Sequence, residues 1–453
     1  MSIRHKMSRR SGAVAPLSKP RSRWANIVVR TPRSARLLIV FFGEAGQSGF
    51  HLLLNIALLR LLSAEGYGVF AVTFILASVG ITYMQALVGT PIGVILPRHR
   101  RAGAMVWQAT FSCASAALAL VTGLMIFASV SLWLERPEFA PAAALFAAGW
   151  FLRGFARASL FANGSLWRAG LSDAAFVMSG LILGTLAILF SPLDPLLDAF
   201  VVLFISHVMG IVAAVAGTRF KIAFRMRLLV RYSRLWPSLA WSVAGVTSAN
   251  LQAQGQMLLV AALAGPAAYA PIAASMIVFA PLRTLGAALF NLLQPAFASA
   301  VSTRNGRRIW KLLFGSSVMI AVSGLFLGAA TYVFFRPIKE FLLKPQFAGE
   351  PIALLMVLAW LIVTLAQLYA APRALMLGAH AFKLVALINL VSATFGLAFV
   401  AALLIMVGTA WSLLGVVFSE LITFVSLWVA ASILLRKFRR KSTSRIVGAH
   451  DVA

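Results

Sequence analysis

Residues 196–237 read LLDAFVVLFISHVMGIVAAVAGTRFKIAFRMRLLVRYSRLWP and place a long apolar segment directly before a strongly basic one. The first part, 196–217, contains one carboxylate and one histidine, whereas the second part, 218–237, contains six Lys and Arg and no acidic residue. An apolar segment of about 20 residues spans the hydrocarbon core of a bilayer as a helix, and short loops rich in Lys and Arg remain cytoplasmic. The stretch therefore predicts a transmembrane helix followed by a cytoplasmic loop.

The same alternation extends in both directions along the 453 residues of the chain. Hydrophobic segments of span length recur, and almost every second gap between them is basic. This periodicity predicts an all-α integral membrane protein with about 12 transmembrane helices. The predicted spans 1 to 12 lie at 37–62, 67–95, 104–134, 140–162, 174–191, 196–217, 238–263, 267–297, 310–335, 350–371, 384–407 and 411–435.

The basic gaps define one side of the membrane. Their cations are Arg98, Arg100, Arg101, Arg168, Arg219, Lys221, Arg225, Arg227, Arg231, Arg234, Arg304, Arg307, Arg308, Lys311, Arg373 and Lys383. The opposite gaps are neutral or acidic, except for a mixed gap at 336–350. Because both tails are also basic, the pattern predicts that the N and C termini are cytoplasmic.

The basic linker divides the chain into two halves of six spans. We predict a basic cytoplasmic tail (1–36), an N-lobe (37–217), the cytoplasmic linker (218–237), a C-lobe (238–435) and a second basic tail (436–453). Two short internal repeats support a duplication: LLSAEGYG at 61–68 matches LAGPAAYA at 263–270, and RASLFA at 157–162 matches RALMLG at 373–378. An even number of spans separates each pair, which favours two parallel six-helix lobes with a substrate path between them.

Composition excludes other classes of protein. With 61% hydrophobic residues, 11% charged residues and a mean hydropathy of +0.92, the chain has too little polar surface for a soluble protein of its length. Its net charge of +29 lies in loops and tails, so membrane lipids are the expected partners and nucleic acid is not. The sequence predicts no cofactor and no metal site.

The junction of spans 1 and 2, LNIALLRLLSAEGYGVF at 54–70, resembles the corresponding junction of bacterial polysaccharide flippases. These belong to the multidrug, oligosaccharidyl-lipid and polysaccharide exporter superfamily, and the likeness extends through the twelve spans and the basic linker. The resemblance implies that the chain flips an undecaprenyl-diphosphate-linked oligosaccharide across the bacterial inner membrane by alternating access of its two lobes. It also implies a polysaccharide polymerase and chain-length proteins as partners. The same fold hosts drug/cation antiporters and the peptidoglycan-precursor flippase.

Three arginines are candidate ligands for an anionic substrate, because ionisable residues at membrane depth usually face a cavity or a partner. Arg283 lies about halfway along span 8, where its guanidinium could bind a diphosphate or pair with a glutamate across the bundle. Arg153 and Arg157 lie one turn apart on span 4. Arg153 is the deeper candidate, whereas Arg157 has an alternative role as a topological signal near the membrane edge.

Three other residues are candidates for ion coupling. Glu44 and His51 are seven residues apart on span 1 and share a helix face, and neighbouring glycines would let that helix bend. Alternatively, Glu44 neutralises Arg283 or Arg153. Glu420 on span 12 is a weaker candidate, with interhelical hydrogen bonding as its alternative role.

Amide side chains are candidates for binding sugar hydroxyls. Span 7 carries Asn250, Gln252, Gln254 and Gln256, and span 2 carries Gln85. Amides also join helices to each other in lipid, which is the alternative role for these residues.

The sequence contains no motif for catalysis. The predicted external gaps lack paired carboxylates, and none is long enough for a catalytic domain. We therefore expect a transporter rather than an enzyme. The alternatives are a cation-coupled multidrug exporter of the same fold and a membrane-embedded polysaccharide polymerase or ligase.

Overall fold

The computed structural model describes residues 33–96, 101–216, 225–303, 305–342, 347 and 349–450. Most of the predicted N-terminal tail, together with Arg98, Arg100, Arg219, Lys221 and Arg304, lies outside these described residues. Ten helices in the described residues are long and apolar enough to cross a membrane, and the helices Arg33–Leu61 and Ala140–Ala162 complete a set of twelve spans. The protein is thus an all-α, multi-pass membrane protein built from two lobes.

The first lobe contains spans 1 to 6. These spans are Arg33–Leu61, Ala64–Ile95, Arg101–Ala128, Ala140–Ala162, Leu166–Phe190 and Pro195–Val215. Span 2 is interrupted by a π-helical turn at Gln85–Gly89, and a second π turn, Ser129–Trp133, extends span 3. Span 5 begins at Leu166, eight residues before its predicted start, so residues assigned to a loop are inside the membrane helix.

The second lobe contains spans 7 to 12. Span 7 begins at Trp236–Asn250, passes through a π turn at Leu251–Gly255 and continues in Gln256–Ile277, where Gly265 breaks the helical geometry and separates span 7 from span 8. Span 8 therefore has two parts, the end of Gln256–Ile277 and the helix Ala280–Ser302. Spans 9 to 12 are Gly306–Val333, Ile352–Leu368 with Ala370–Gly378, Phe382–Met406 and Thr409–His450.

Two short helices lie outside the spans. Phe335–Leu342 follows span 9, and the linker helix Met226–Ser233 precedes span 7. The hydroxyl of Tyr232 on the linker helix donates to the Leu87 carbonyl in the π turn of span 2 at 2.8 Å. Burial raises the pKa of Tyr232 to about 12, so this hydroxyl remains a donor. The linker helix is therefore attached to the first lobe.

We call the end of the bundle that carries the linker helix and the turns 163–165 and 379–381 the basic end. The opposite end, with residues 62–63, 134–139 and 407–408, is the neutral end. These names describe the distribution of charge along the chain.

The lobes meet at the neutral end through the two copies of the internal repeat. Gly68 near the start of span 2 lies against the backbone of Pro266 at the start of span 8, and a Cβ at residue 68 would overlap the Pro266 carbonyl. Tyr67 and Tyr269, which occupy matching positions in the repeat, are close enough to interact electrostatically. A single hydrophobic core with buried residues of both lobes surrounds this contact. The repeated junction thus forms the interface between the lobes.

Two polar contacts continue this interface toward the middle of the bundle. Thr82 and Asn250 are hydrogen-bonded at 2.7 Å, and the hydroxyls of Tyr83 and Thr247 also lie 2.7 Å apart. These residues precede the π turns of spans 2 and 7, so the irregular segments of the two lobes face the same interface. π turns in membrane helices commonly occur at functional sites.

The orientation of the bundle gives the first prediction. Green fluorescent protein fused to the C terminus should fluoresce and alkaline phosphatase fused there should be inactive, because the basic end is expected to be cytoplasmic. Fusions truncated at Gly408, on the neutral end, should show the reverse behaviour. Active phosphatase at the C terminus would show that the bundle is inverted.

The close approach of Gly68 to Pro266 gives a second prediction. Gly68→Val should separate the lobes at the neutral end and reduce stability by about 1–3 kcal/mol, because the new side chain meets backbone that cannot move aside easily. Spin labels at the exposed residues Leu132 and Ile405, one on each lobe, should report a longer and broader distance distribution.

Gly93→Val is the matched control for this test. Gly93 lies on the same span and has open space around it, so its substitution should leave the distance unchanged. Equal distance distributions in Gly68→Val and Gly93→Val would contradict the assigned contact.

Candidate functional site: a charge network and an exposed arginine at membrane depth

The first lobe contains four charged side chains that neutralise each other, which we call the N-lobe charge network: Glu44, Arg153, Arg157 and Asp173. Arg153 donates to Asp173 at 2.6 Å, and both side chains are almost completely buried. Arg157 contacts the same carboxylate, with its Nη2 3.0 Å from Oδ2, and also donates to Glu44 at 2.8 Å. Moving an ion from water into the membrane interior costs free energy. Contact between two cations and two anions lowers this cost for all four side chains.

Spacing and small residues explain why these groups meet. Arg153 and Arg157 are four residues apart on span 4 and therefore lie on one helix face. Gly43 lets span 1 approach the carboxylate of Asp173, and Gly210 of span 6 leaves room for the Arg153 side chain. A Cβ at either glycine would collide with the network.

One alternative considered for span 1 is corrected. Glu44 is neutralised by an arginine, but its partner is Arg157 and not Arg153 or Arg283. Span 1 is one continuous helix from Arg33 to Leu61. Gly43 permits close packing.

The structure also changes the predicted role of Arg153. Its side chain is only 2% exposed, its guanidinium carbon lies 4.1 Å from the centre of the Phe176 ring, and it is paired with Asp173. In this conformation Arg153 cannot reach a substrate in a cleft. Arg157 is 15% exposed and remains accessible.

Asp173 is the residue that the sequence reasoning missed. We placed the start of span 5 at residue 174, which left Asp173 in a cytoplasmic loop. The helix begins at Leu166, so Asp173 is two turns inside it. The sequence contains a signal for this residue. Asp173 is an acidic residue next to a predicted span boundary, and the preceding span carries two arginines that need counter-charges.

His51 lies in an aromatic cluster of the same lobe. Its ring centre is 5.2 Å from Phe74 and 5.7 Å from Trp150. His207 stacks on Phe176 at 4.6 Å, and both of its ring nitrogens are buried without a partner in the described residues. His51 and Glu44 share a helix face as predicted, but aromatic rings surround the imidazole.

The second lobe has a different cluster, which we call the C-lobe amide cluster: Gln252, Gln256, Tyr369, Ser419 and Glu420. Gln252 donates to Glu420 at 2.7 Å, and Gln256 donates to Ser419 at 2.7 Å. The Tyr369 hydroxyl lies 3.5 Å from the Gln252 carbonyl oxygen. These buried hydrogen bonds join spans 7, 10 and 12, which matches the alternative role given to Glu420.

The predicted sugar-binding amides therefore divide into two groups. Gln252 is buried inside the second lobe, and Asn250 is bonded to Thr82 across the interface, so both serve in helix packing in this conformation. Gln254 is half-buried on the π turn, and Gln85 is exposed. The Gln85 side chain folds over Gly89, where span 2 packs against Ala158 of span 4.

Arg283 is the exposed cation at membrane depth. Its neighbour Leu282 packs with Ala359 and Val363 of span 10, whereas the Arg283 side chain is exposed. Among the described residues it has no carboxylate partner, so the ion pair considered from the sequence is not formed there.

Span 8 connects this cation to the first lobe. The helix Ala280–Ser302 packs against span 1, which carries Glu44. Glu44 and Arg283 thus lie on helices of the two lobes that pack against each other.

Solved structures share this architecture. An inward-facing multidrug resistance MATE family transporter of the MOP superfamily aligns with a TM-score of 0.64 at 15% identity, covering 87% of this chain and 95% of that one. A eukaryotic MATE transporter aligns with a TM-score of 0.63 at 15% identity, covering 91% and 98%. A MOP superfamily transporter from Pyrococcus furiosus aligns with a TM-score of 0.58 at 15% identity, covering 89% and 96%.

No protein-family model matches the sequence, and no curated protein matches it. The similarity to solved structures therefore defines a fold. The chain has the two-lobed fold of MATE-type transporters of the MOP superfamily.

The buried ion pairs give a third prediction. Asp173→Asn should lower the free energy of unfolding by about 3–5 kcal/mol, because it leaves Arg153 buried without a charged partner. Denaturant unfolding in mixed micelles, followed by tryptophan fluorescence, measures the change.

Glu65→Gln is the control for this prediction. It breaks the exposed ion pair with Arg136 at the neutral end and should cost about 0–1 kcal/mol. If Asp173→Asn costs no more than Glu65→Gln, the network does not stabilise the lobe in the way its geometry indicates.

Proposed function

We propose that this protein is a membrane transporter that moves an anionic, lipid-linked oligosaccharide across the bacterial inner membrane. The substrate class is an oligosaccharide attached to undecaprenyl diphosphate, and the movement is a rocking of the two lobes. The observation that carries the proposal is the exposed Arg283 in the middle of span 8. The two-lobed transporter fold supports it.

The charge balance at membrane depth favours an anion over a cation. Glu44 and Asp173 are engaged by arginines, and Glu420 is buried and bonded to Gln252. Arg283 has no such partner among the described residues and can offer the planar donors that match phosphate oxygens. An organic cation would need a free carboxylate in the same cleft.

One of the solved structures is relevant to this balance. The Pyrococcus furiosus transporter is described as having a binding pocket of reverse polarity that suggests a different function within the superfamily. The fold is thus compatible with more than one polarity of substrate site. The cationic cleft residue of this chain supports an anionic substrate class, whereas a multidrug substrate is the alternative that the test below includes.

Different residues of the site would bind different parts of the substrate. Arg283 and Arg157 would bind the diphosphate, Gln85 and Gln254 would contact sugar hydroxyls, and the polyprenyl tail would remain in lipid between the lobes. A polysaccharide polymerase and chain-length proteins would then use the translocated oligosaccharide. Glu44 remains our candidate for ion coupling.

The fourth prediction tests Arg283 in proteoliposomes. Flipping of an undecaprenyl-diphosphate-linked oligosaccharide with a fluorescent sugar is measured by protection from a membrane-impermeant quencher. Arg283→Ala should reduce the flipping rate at least roughly tenfold, which corresponds to a loss of about 1.4 kcal/mol of binding free energy. Arg283→Lys should retain part of the wild-type rate, because lysine keeps the positive charge but lacks the planar, two-pronged donors of the guanidinium.

Arg231→Ala is the matched control, since Arg231 is an exposed arginine of the linker helix. It should transport at the wild-type rate. Full transport by Arg283→Ala would reject the diphosphate role, and ethidium efflux without oligosaccharide flipping would establish the multidrug alternative.

A further inference from the structure

The Glu44–Arg157 pair is the accessible end of the N-lobe charge network. The Glu44 side chain is 45% exposed, whereas the Asp173 side chain on the other side of Arg157 is 3% exposed. Arg157 therefore lies between two carboxylates, the buried one of Asp173 and the partly exposed one of Glu44. Glu44 can leave Arg157 without becoming a buried unpaired charge, because water can solvate the released carboxylate.

Glu44 lies on the inner face of span 1. It shares this helix face with His51 and Asn55, and these two contact Phe74 and Tyr67 of span 2 inside the lobe. The opposite face carries the exposed Phe42 and Leu53. The partial exposure of Glu44 is therefore on the side of span 1 that faces the other helices.

A guanidinium binds a carboxylate and a phosphate with the same donors, so the two anions exclude each other at one edge of the group. In the structure, Nη2 of Arg157 is shared between Glu44 and Asp173. A phosphoryl oxygen that approached from the cleft would need the position of the Glu44 oxygen. Asp173 would remain in place and keep the arginine oriented.

We propose that Glu44 occupies the phosphate position at Arg157 in the empty transporter and is displaced when the anionic substrate binds. Glu44 is then an intramolecular competitor of the substrate, and Arg157 is a substrate-binding residue that stays neutralised between cycles. This inference rests on the proposed function, since it assumes a phosphate-bearing substrate.

The competition makes substrate binding sensitive to the charge at residue 44. A neutral side chain there no longer holds Arg157, so removing the charge of Glu44 should strengthen substrate binding. The charged groups facing Glu44 are Arg157 and Arg153 of span 4 and Asp173 of span 5. The other elements packed against span 1 carry His207 on span 6, Arg283 on span 8, and Arg336, Lys339 and Glu340 on the short helix Phe335–Leu342.

The fifth prediction uses farnesyl diphosphate as a soluble probe of the diphosphate site. Its affinity for the purified full-length protein in detergent is measured at neutral pH, with farnesol as the uncharged control ligand. Glu44→Gln should bind farnesyl diphosphate several-fold more tightly than the wild type, because the competing carboxylate is removed.

Further variants make the result specific. Arg157→Gln should bind the probe weakly, and Arg231→Ala should bind it as tightly as the wild type does. The double variant Glu44→Gln with Arg157→Gln should bind no more tightly than Arg157→Gln alone, because the competitor and the substrate share that arginine. Unfolding of each variant is recorded, and Glu44→Ala provides the same test if Glu44→Gln is unstable.

A structural role for Glu44 predicts the opposite result. If Glu44→Gln binds the probe no more tightly than the wild type, the competition is rejected. If Arg283→Ala still weakens binding in that case, the proposed function stands without it. If no protein binds farnesyl diphosphate more tightly than farnesol, the anionic substrate class itself is rejected.

Discussion

The first lobe depends on one constraint: a charge placed in the middle of a bilayer must find a partner inside the protein or face a water-filled cavity. Arg153 meets this constraint through Asp173, and the ion pair then determines much of its surroundings. Span 4 must turn its arginines toward span 5, and spans 1 and 6 must present Gly43 and Gly210 where the network is bulky. The packing of four helices follows from one buried guanidinium.

The two lobes satisfy the same constraint by different chemistry. The first lobe balances two arginines with two carboxylates, whereas the second pairs one carboxylate, Glu420, with the neutral donor Gln252, whose carbonyl oxygen lies near the Tyr369 hydroxyl. An arginine in an ion pair can exchange its carboxylate partner for another anion that binds the same donors. A buried amide that leaves its partner loses a hydrogen bond that no arriving ion replaces. The first lobe is therefore better suited to respond to an anion, and the second to provide a rigid support for Arg283.

The fold could be predicted largely from the sequence, because hydrophobic length and loop charge are strong signals in a membrane protein. The repeat at 61–68 and 263–270 also pointed to the interface between the lobes. The site was harder to predict, since pairing depends on which helix faces meet. Asp173 was missed through an error of eight residues in one helix boundary, and Arg153 was taken for a cleft residue because burial cannot be judged from depth along a helix.

The position of the contacts connects the fold to the proposed mechanism. The lobes touch at the neutral end through Gly68 and Pro266, whereas Glu44, Arg157 and Asp173 lie in the halves of their spans nearer the basic end. A substrate that displaced Glu44 would therefore act at a distance from the contact that holds the lobes together. Binding energy could reach that contact through span 2, because this helix packs against span 4, which carries Arg157, and holds the Thr82–Asn250 bond midway and Gly68 at the neutral end. A helix that packs against span 4 and also borders the interface is well placed to couple an exchange of ion partners to movement of the lobes.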